Sequence, residues 1–241
     1  MLQTIAFSAL GQLATGILLF VALVPPSRIG KGFGRFHTAL ALLLWILAVR
    51  GRFSTEFVIT AAFLVATFFC ASKDRLFYPF LTCSFAASLS LLIQSDSTKL
   101  GFLESLLVHV PPALVLGASS VSMLLGHWYL VSPNLPIGYL KASTIGLITA
   151  LVIRSACLVA VVVSTKLQLA NIHFFEIYGI FFLQRVAIGL LLALILSILT
   201  YFCVRIRSTQ SATGILYVVL VFCLIGELIG GYLFAKTGIS F

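Results

Sequence analysis

Charged residues are scarce in this chain of 241 residues. They make up 9% of the sequence, with only six Asp and Glu, whereas hydrophobic residues make up 61%. A soluble domain has roughly a quarter of its residues charged, so a water-soluble fold of this composition would leave apolar surface exposed on every side. The shortage of charge therefore argues against an ordinary soluble protein and indicates an integral membrane protein.

The motifs of soluble enzymes are also missing. The sequence contains no P-loop, no G-x-G-x-x-G after a strand, no H-E-x-x-H and no serine nucleophile motif. Its five cysteines form no C-x-x-C pair, and no His, Asp and Glu residues have the spacing of zinc ligands. No connecting segment exceeds about a dozen residues, so we expect no soluble catalytic domain. Any chemistry must lie within the membrane or come from partner subunits.

Long apolar runs are what the sequence has instead. They are continuous, as transmembrane helices of about 20 residues require, and lack the alternation of barrel strands. The sequence predicts an all-α, polytopic transmembrane helix bundle of about eight spans, with residues 1–241 as a single integral membrane domain. The second span is the weakest, because it is short and flanked by Arg35 and Arg50. The predicted spans are residues 4–24, 36–50, 55–72, 76–94, 103–131, 142–165, 174–204 and 211–235.

Basic residues give the chain a formal net charge of +9. They are scattered beside the apolar runs and form no basic stripe, which favours a role in orientation and indicates no nucleic-acid partner. With the N-terminus outside, the inner loops hold Arg28, Lys31, Arg35, Lys73, Arg75, Lys141, Arg205 and Arg207, and the outer side holds Arg50, Arg52, Lys99, Lys166 and Lys236. Together with the short loops, this distribution predicts a bacterial inner-membrane protein with both termini outside, and an organellar membrane is the alternative. We expect its partners to be membrane lipids and other membrane or peripheral subunits.

Small residues in two spans indicate close helix contacts. Gly226 and Gly230 form a G-x-x-x-G pattern in the last span, and a patch of small residues begins at Gly117 in the fifth. Such residues let helix backbones approach each other. We expect ordinary packing within the chain here, with a dedicated dimer interface as the alternative.

Three charged residues lie deep inside the spans, where charge is costly and usually faces a bundle interior or a cavity. Arg154 lies in the middle of the sixth span, Arg185 in the middle of the seventh and Glu227 in the outer half of the eighth. We expect Glu227 to pair with one arginine, leaving the other to bind a carbonyl, a quinone or propionate group, or an acidic side chain of a partner. The alternative is a structural ion pair that joins three helices.

A distinctive segment ends the fifth span. His127, Trp128 and Tyr129 follow one another before a turn that contains two prolines. Trp and Tyr suit the membrane interface, and a quinone head group needs a hydrogen-bond donor and an apolar clamp near one membrane face. These three residues therefore predict a quinone site.

The four histidines are also candidate ligands of haem iron. His37 and His127 lie toward the inner side of the predicted topology, and His109 and His173 toward the outer side. Bis-histidine haem b needs two imidazoles from different helices at one depth. His109 and His127 are about five helical turns apart and so share a helix face. The predicted pairs are His37 with His127 and His109 with His173.

Three functions follow from these features. The first is a membrane subunit of a respiratory or other electron-transfer complex that contacts quinone or haem b through His127, with Arg154, Arg185 and Glu227 lining a polar interior. The second is a secondary transporter or channel whose buried Arg and Glu handle an ion, a proton or a small anion. The third is a non-catalytic scaffold or assembly subunit. In span count and short loops alone, the chain resembles the quinol-handling membrane anchors of the polysulfide-reductase type, which implies electron transfer by fold-level analogy.

Overall fold

The computed structural model describes residues 2–49, 54–96, 101–132, 135–164 and 172–239. Within these ranges the chain is helical with short connections, and no strand occurs. One helix, α8, is α-helical at both ends and π-helical in its middle. The helices are α1 Leu2–Val21, α2 Pro26–Ile29, α3 Lys31–Val49, α4 Thr55–Cys70, α5 Asp74–Asp96, α6 Phe102–Val131, α7 Gly138–Ser164, α8 with segments Ile172–Gln184, Arg185–Leu192 and Ala193–Arg205, and α9 Thr209–Thr237.

Seven helices of the described chain, α1, α3 and α5 to α9, are long and apolar enough to cross a membrane. The prediction of an all-helical chain of long apolar helices is thus confirmed. The second predicted span was expected to be the weakest because it is short. This expectation is wrong, since α3 has 19 residues. The short helix is the third one, α4, with 16 residues. At 1.5 Å per residue α4 is about 24 Å long, less than the roughly 30 Å of a bilayer's hydrocarbon core.

The second span was predicted to begin after Arg35, but Arg35 lies inside a helix. Arg35 lies one turn inside α3, and its Nη2 donates to Ser72 Oγ at 3.3 Å. Its guanidinium also lies 5.6 Å from the ring centre of Phe68, in a cation–π contact. With these partners on and beyond α4, the charged side chain is accommodated inside α3, which begins at Lys31.

Helices α1 and α6 cross at the centre of the bundle. On one side α1 packs against α3 and α5, and α4 contacts both of these; on the other, α6 packs against α7 and α9, and α8 contacts both of those. A Cβ atom on Gly16 would lie 1.9 Å from the Ala113 carbonyl oxygen, and one on Gly117 would lie 2.1 Å from the Gly16 carbonyl carbon. Only glycine permits this approach, which holds the polar face of α1 against α6.

The bundle is apolar outside and partly polar inside. Large apolar side chains face outward, including Phe69 with 69% exposure and Ile180 with 74%. In the interior, Ser88 Oγ lies 2.6 Å from Thr15 Oγ1 and accepts a hydrogen bond from Trp45 Nε1 at 2.8 Å. Lipid tails solvate apolar side chains and leave polar groups to find partners within the protein, so this distribution is the one that a lipid-embedded bundle requires.

Candidate functional site

Three charged side chains meet inside the bundle, and they are the three that the sequence analysis selected. Glu227 Oε1 accepts hydrogen bonds from Arg154 Nε at 3.2 Å and Arg185 Nη2 at 2.9 Å, and Oε2 accepts one from Arg154 Nη2 at 3.3 Å. Exposure is 3% for Arg154, 0% for Arg185 and 5% for Glu227. The expectation of a single arginine partner is wrong, because both bind the carboxylate. We call these three residues the charged cluster; it joins α7, α8 and α9.

Two glycines make room for the Arg185 side chain. A Cβ atom on Gly189 would lie 2.6 Å from the Gly226 Cα, and one on Gly226 would lie 2.6 Å from the Gly189 Cα and 3.0 Å from Arg185 Nη1. The close crossing of α8 and α9 therefore forms the space that the guanidinium fills. Gly226 packs within the chain, as the sequence analysis expected.

The middle of α8 is π-helical from Arg185 to Leu192. π-Helical turns are rare and occur frequently at functional sites. Arg185, which binds Glu227, and Gly189, which packs against Gly226, both belong to this segment. Nothing in the sequence indicates the change of helix type, because the segment is an ordinary apolar run except for its arginine.

The charged cluster is not neutral. The two guanidinium groups and the one carboxylate of the cluster sum to a net charge of +1. In addition, Arg185 Nε and Nη1 are buried and have no hydrogen-bond partner among the described residues. A buried charge or N–H donor without a partner is costly. Within the described ranges, the cluster therefore has unused hydrogen-bond donors on Arg185 and an excess of positive charge.

A small cavity borders the charged cluster. Its volume is about 30 Å³, which is room for about two water molecules. From Glu227 it extends along α9 to Phe234, about 10 Å at 1.5 Å per residue, toward the end of the bundle where α1 begins and α9 ends. Its polar lining is Ser8, Gln12, Arg154 and Glu227, and its remaining lining is Ile5, Ala9, Val108, Pro112, Gly230, Gly231 and Phe234.

Gln12 connects this cavity to a buried histidine. Its Nε2 donates to Ser8 Oγ at 3.0 Å and lies 3.1 Å from His109 Nδ1. His109 is fully buried. The sequence analysis selected His109 but missed Gln12 and Ser8. Their spacing of four residues puts both on one face of the first span, and this polar pair in an apolar run was the signal that could have found them.

The side chains of the His-Trp-Tyr segment point to different neighbours. His127 is exposed, with its Nδ1 3.1 Å from the hydroxyl of Tyr217 on α9. Trp128 lies edge-on to Phe33 of α3, with ring centres 5.7 Å apart. The Tyr129 hydroxyl donates to a backbone carbonyl of the α6–α7 connection. Consecutive residues of a helix are about 100° apart, so the three do not converge on one quinone-sized site.

The predicted haem pairs are not brought face to face where both partners are described. His37 is fully buried, and its Nδ1 lies 2.8 Å from the carbonyl oxygen of Phe33. His127, its predicted partner, lies on the outside of the bundle. The side chain of His173 lies outside the described residues, so the pairing of His109 with His173 stays a prediction. No group of three or more His, Cys, Asp or Glu side chains in the described ranges could hold a metal ion.

Comparison with known proteins found no protein family, no curated protein and no solved structure that matches this chain. The function therefore has to come from the chemistry of the residues themselves. Among the residues discussed, the charged cluster combines full burial, unbalanced charge and contact with a polar cavity. It is the candidate site.

Proposed function

We propose that this chain is an integral membrane transport protein, a secondary transporter or channel in which the charged cluster handles an ion or a proton. The observation that carries the proposal is the net charge of +1 buried in the cluster beside a polar cavity. Ionisable groups within membrane spans mark ion pathways and proton relays in many proteins, because their burial is too costly to persist without a use.

The second arginine favours transport over a structural lock. One arginine is enough to neutralise Glu227 and to join two helices. Adding Arg185 brings a further buried charge and leaves two of its nitrogen atoms without partners among the described residues. Burying a charge costs several kcal/mol even when it is paired, so a structural role would be better served by an apolar residue at position 185.

We further propose that the bundle crosses the membrane eight times, with α4 as its shortest crossing and both termini on the outer face of a bacterial inner membrane. The distribution of Lys and Arg supports this orientation, since their excess marks the cytoplasmic side. In this arrangement the cavity beside Glu227 opens toward the outer face. The mismatch of α4 is tolerable, because a bilayer thins locally around a short helix.

Flux measurements in proteoliposomes test the transport function. The purified protein is reconstituted, and uptake of protons, Na⁺, K⁺ and a panel of small anions is compared with protein-free liposomes. We expect flux of at least one of these ions, and a loss of at least about tenfold in Arg154→Met, which removes one arginine and leaves a neutral pair of Arg185 and Glu227. The matched control is Arg205→Met at the exposed end of α8, which should retain the flux.

The proposal is wrong if the wild-type protein carries none of these ions, or if Arg154→Met carries them as well as the wild type. The electron-transfer and scaffold hypotheses stay predictions. Retention of a quinone, or of a pigment with a reduced b-type absorption band, through mild purification would favour electron transfer. Loss of a larger complex on deletion of the gene, with cofactor content unchanged in the remaining subunits, would favour a scaffold.

A further inference from the structure

The substrate of the proposed transport function can be named from the contacts of Glu227. We infer that it is a small monovalent oxyanion with two coplanar oxygen atoms, of the size of formate or nitrate. It takes the place of the Glu227 carboxylate between Arg154 and Arg185 when that carboxylate binds a proton. This inference rests on the transport function and adds the substrate class and the coupling to protons.

The Glu227 carboxylate already shows which ligand the two arginines fit. Its two oxygens face Arg154 Nε and Nη2 at 3.2 and 3.3 Å, a fork-to-fork contact, while Arg185 Nη2 reaches one of them at 2.9 Å. Planar guanidinium groups match planar groups with two oxygens in this way. An oxyanion of the same shape can accept the same hydrogen bonds. Arg185 Nε and Nη1, buried and without partners in the described chain, provide further donors.

The cavity provides a place for the exchange. It borders Arg154 and Glu227, so the carboxyl group can leave the arginines without entering apolar packing. Gln12 and Ser8 on its wall can form hydrogen bonds with the displaced carboxylic acid. Its volume of about 30 Å³ limits the incoming anion to a few heavy atoms, because a single water already needs about 10–15 Å³ measured in this way.

Charge and protons balance in this exchange. The proton adds to a Glu227 oxygen and gives a neutral carboxylic acid, and the entering anion supplies the negative charge that the carboxylate has lost. The net charge of the site is therefore the same before and after the exchange, and one proton moves with one anion, so that transport is electroneutral. Among the described residues, the charged and titratable groups around Glu227 are Arg154 of α7, Arg185 of α8, His109 of α6 through Gln12 of α1, and Cys223 on α9 itself. Because the anion takes the place of the Glu227 carboxylate, anion binding requires the proton and weakens as pH rises.

A first experiment measures anion binding to Glu227→Gln in detergent. The amide resembles the protonated acid and removes the Glu227 carboxylate from between the two arginines. Nitrate or formate, exchanged for chloride at constant ionic strength, should raise the Tm of this variant by about 3–6 °C for each tenfold increase above the dissociation constant. The control is Glu56→Gln, which removes an exposed carboxylate of α4. At pH 8, nitrate and formate should leave the Tm of this control and of the wild type unchanged. Absence of a shift in a folded Glu227→Gln would overturn the substrate assignment, because nitrate or formate would then bind no better than the chloride that it replaces.

A second experiment uses the wild-type protein, so that the inference stays testable if Glu227→Gln does not fold. Proteoliposomes are given an acidic exterior, and nitrate uptake is followed, since nitrate has no neutral form that crosses the lipid by itself. We expect uphill accumulation with one proton per nitrate and no response to an imposed membrane voltage. Uptake that follows voltage, or that ignores the pH gradient, would overturn the inference. If the protein carries protons or cations but no nitrate, the transport function stands and only the substrate assignment fails; if it carries nothing, both fail.

Discussion

Replacing Arg185 with methionine separates a transport role of the charged cluster from a structural one. Arg185→Met removes the second arginine and leaves Arg154 and Glu227 as a neutral pair with two hydrogen bonds, at 3.2 and 3.3 Å. Methionine is flexible and apolar, and it can fill the space beside Gly189 and Gly226. The variant thus keeps the volume of the interior and changes the net charge of the cluster from +1 to zero.

The effect on stability follows from the contacts of Arg185. The variant loses one hydrogen bond to a carboxylate, at 2.9 Å, worth about 1.5–3 kcal/mol. It also removes the buried Nε and Nη1 donors that lack partners in the described chain, and each unsatisfied group costs about 1–3 kcal/mol. Apolar replacement of buried ionic groups is often neutral or stabilising. We expect the free energy of unfolding to stay the same or to rise by about 1–2 kcal/mol.

Two assays on the same preparation check this expectation. The Tm in detergent, followed by intrinsic fluorescence of Trp45 and Trp128, should be unchanged or higher by up to about 8 °C. Flux in proteoliposomes should fall at least about tenfold, while Arg205→Met retains both properties. Full flux in Arg185→Met would refute a transport role for the cluster. A Tm lower by 10 °C or more, to about the same extent as that of Glu227→Gln, would show that Arg185 is a structural partner.

Two further predictions concern the bundle itself. Gly16→Ala should lower the free energy of unfolding by about 3 kcal/mol or more, because its Cβ would lie 1.9 Å from the Ala113 carbonyl oxygen. The control is Gly214→Ala, whose Cβ would meet no neighbouring atom within 4 Å and which should be neutral or stabilising. Equal Tm values for the two variants would contradict the α1–α6 crossing. The second prediction concerns the number of crossings and uses reporters that are active on only one side of the membrane, fused to the N-terminus or to the C-terminus. If α4 crosses, both fusions should place the terminus on the outer face. Termini on opposite faces would mean seven crossings.

The sequence alone was enough to locate the helices. The eight predicted spans coincide with α1 and α3 to α9, because helix placement here depends on summed apolarity along the chain, and this sum does not depend on neighbouring helices. The start of α3 is the exception. A charge such as Arg35 ends a span in a sequence pattern, but Ser72 and Phe68 give it partners on and beyond another helix, and only the tertiary structure supplies those.

The sequence also pointed to Arg154, Arg185 and Glu227, because an ionisable group inside an apolar run is a costly exception that needs a partner. It left the pairing open. The contact of both arginines with the one carboxylate depends on the crossing of α8 with α9 at Gly189 and Gly226, and on the π-helical segment that begins at Arg185.

The neighbours of each helix and its rotation about its own axis were decided by the tertiary structure alone. In lipid the apolar pattern carries little information about the rotation of a helix about its axis. Lipid tails are as apolar as leucine, so burying one apolar face in the bundle is not favoured over burying another. Rotation is decided by close glycine contacts and by polar groups that must find partners, which depend on several helices at once. For this reason His127, prominent in the sequence, lies on the exposed surface of α6. In contrast, Gln12 and Ser8, which were not predicted from the sequence, line the cavity beside the charged cluster.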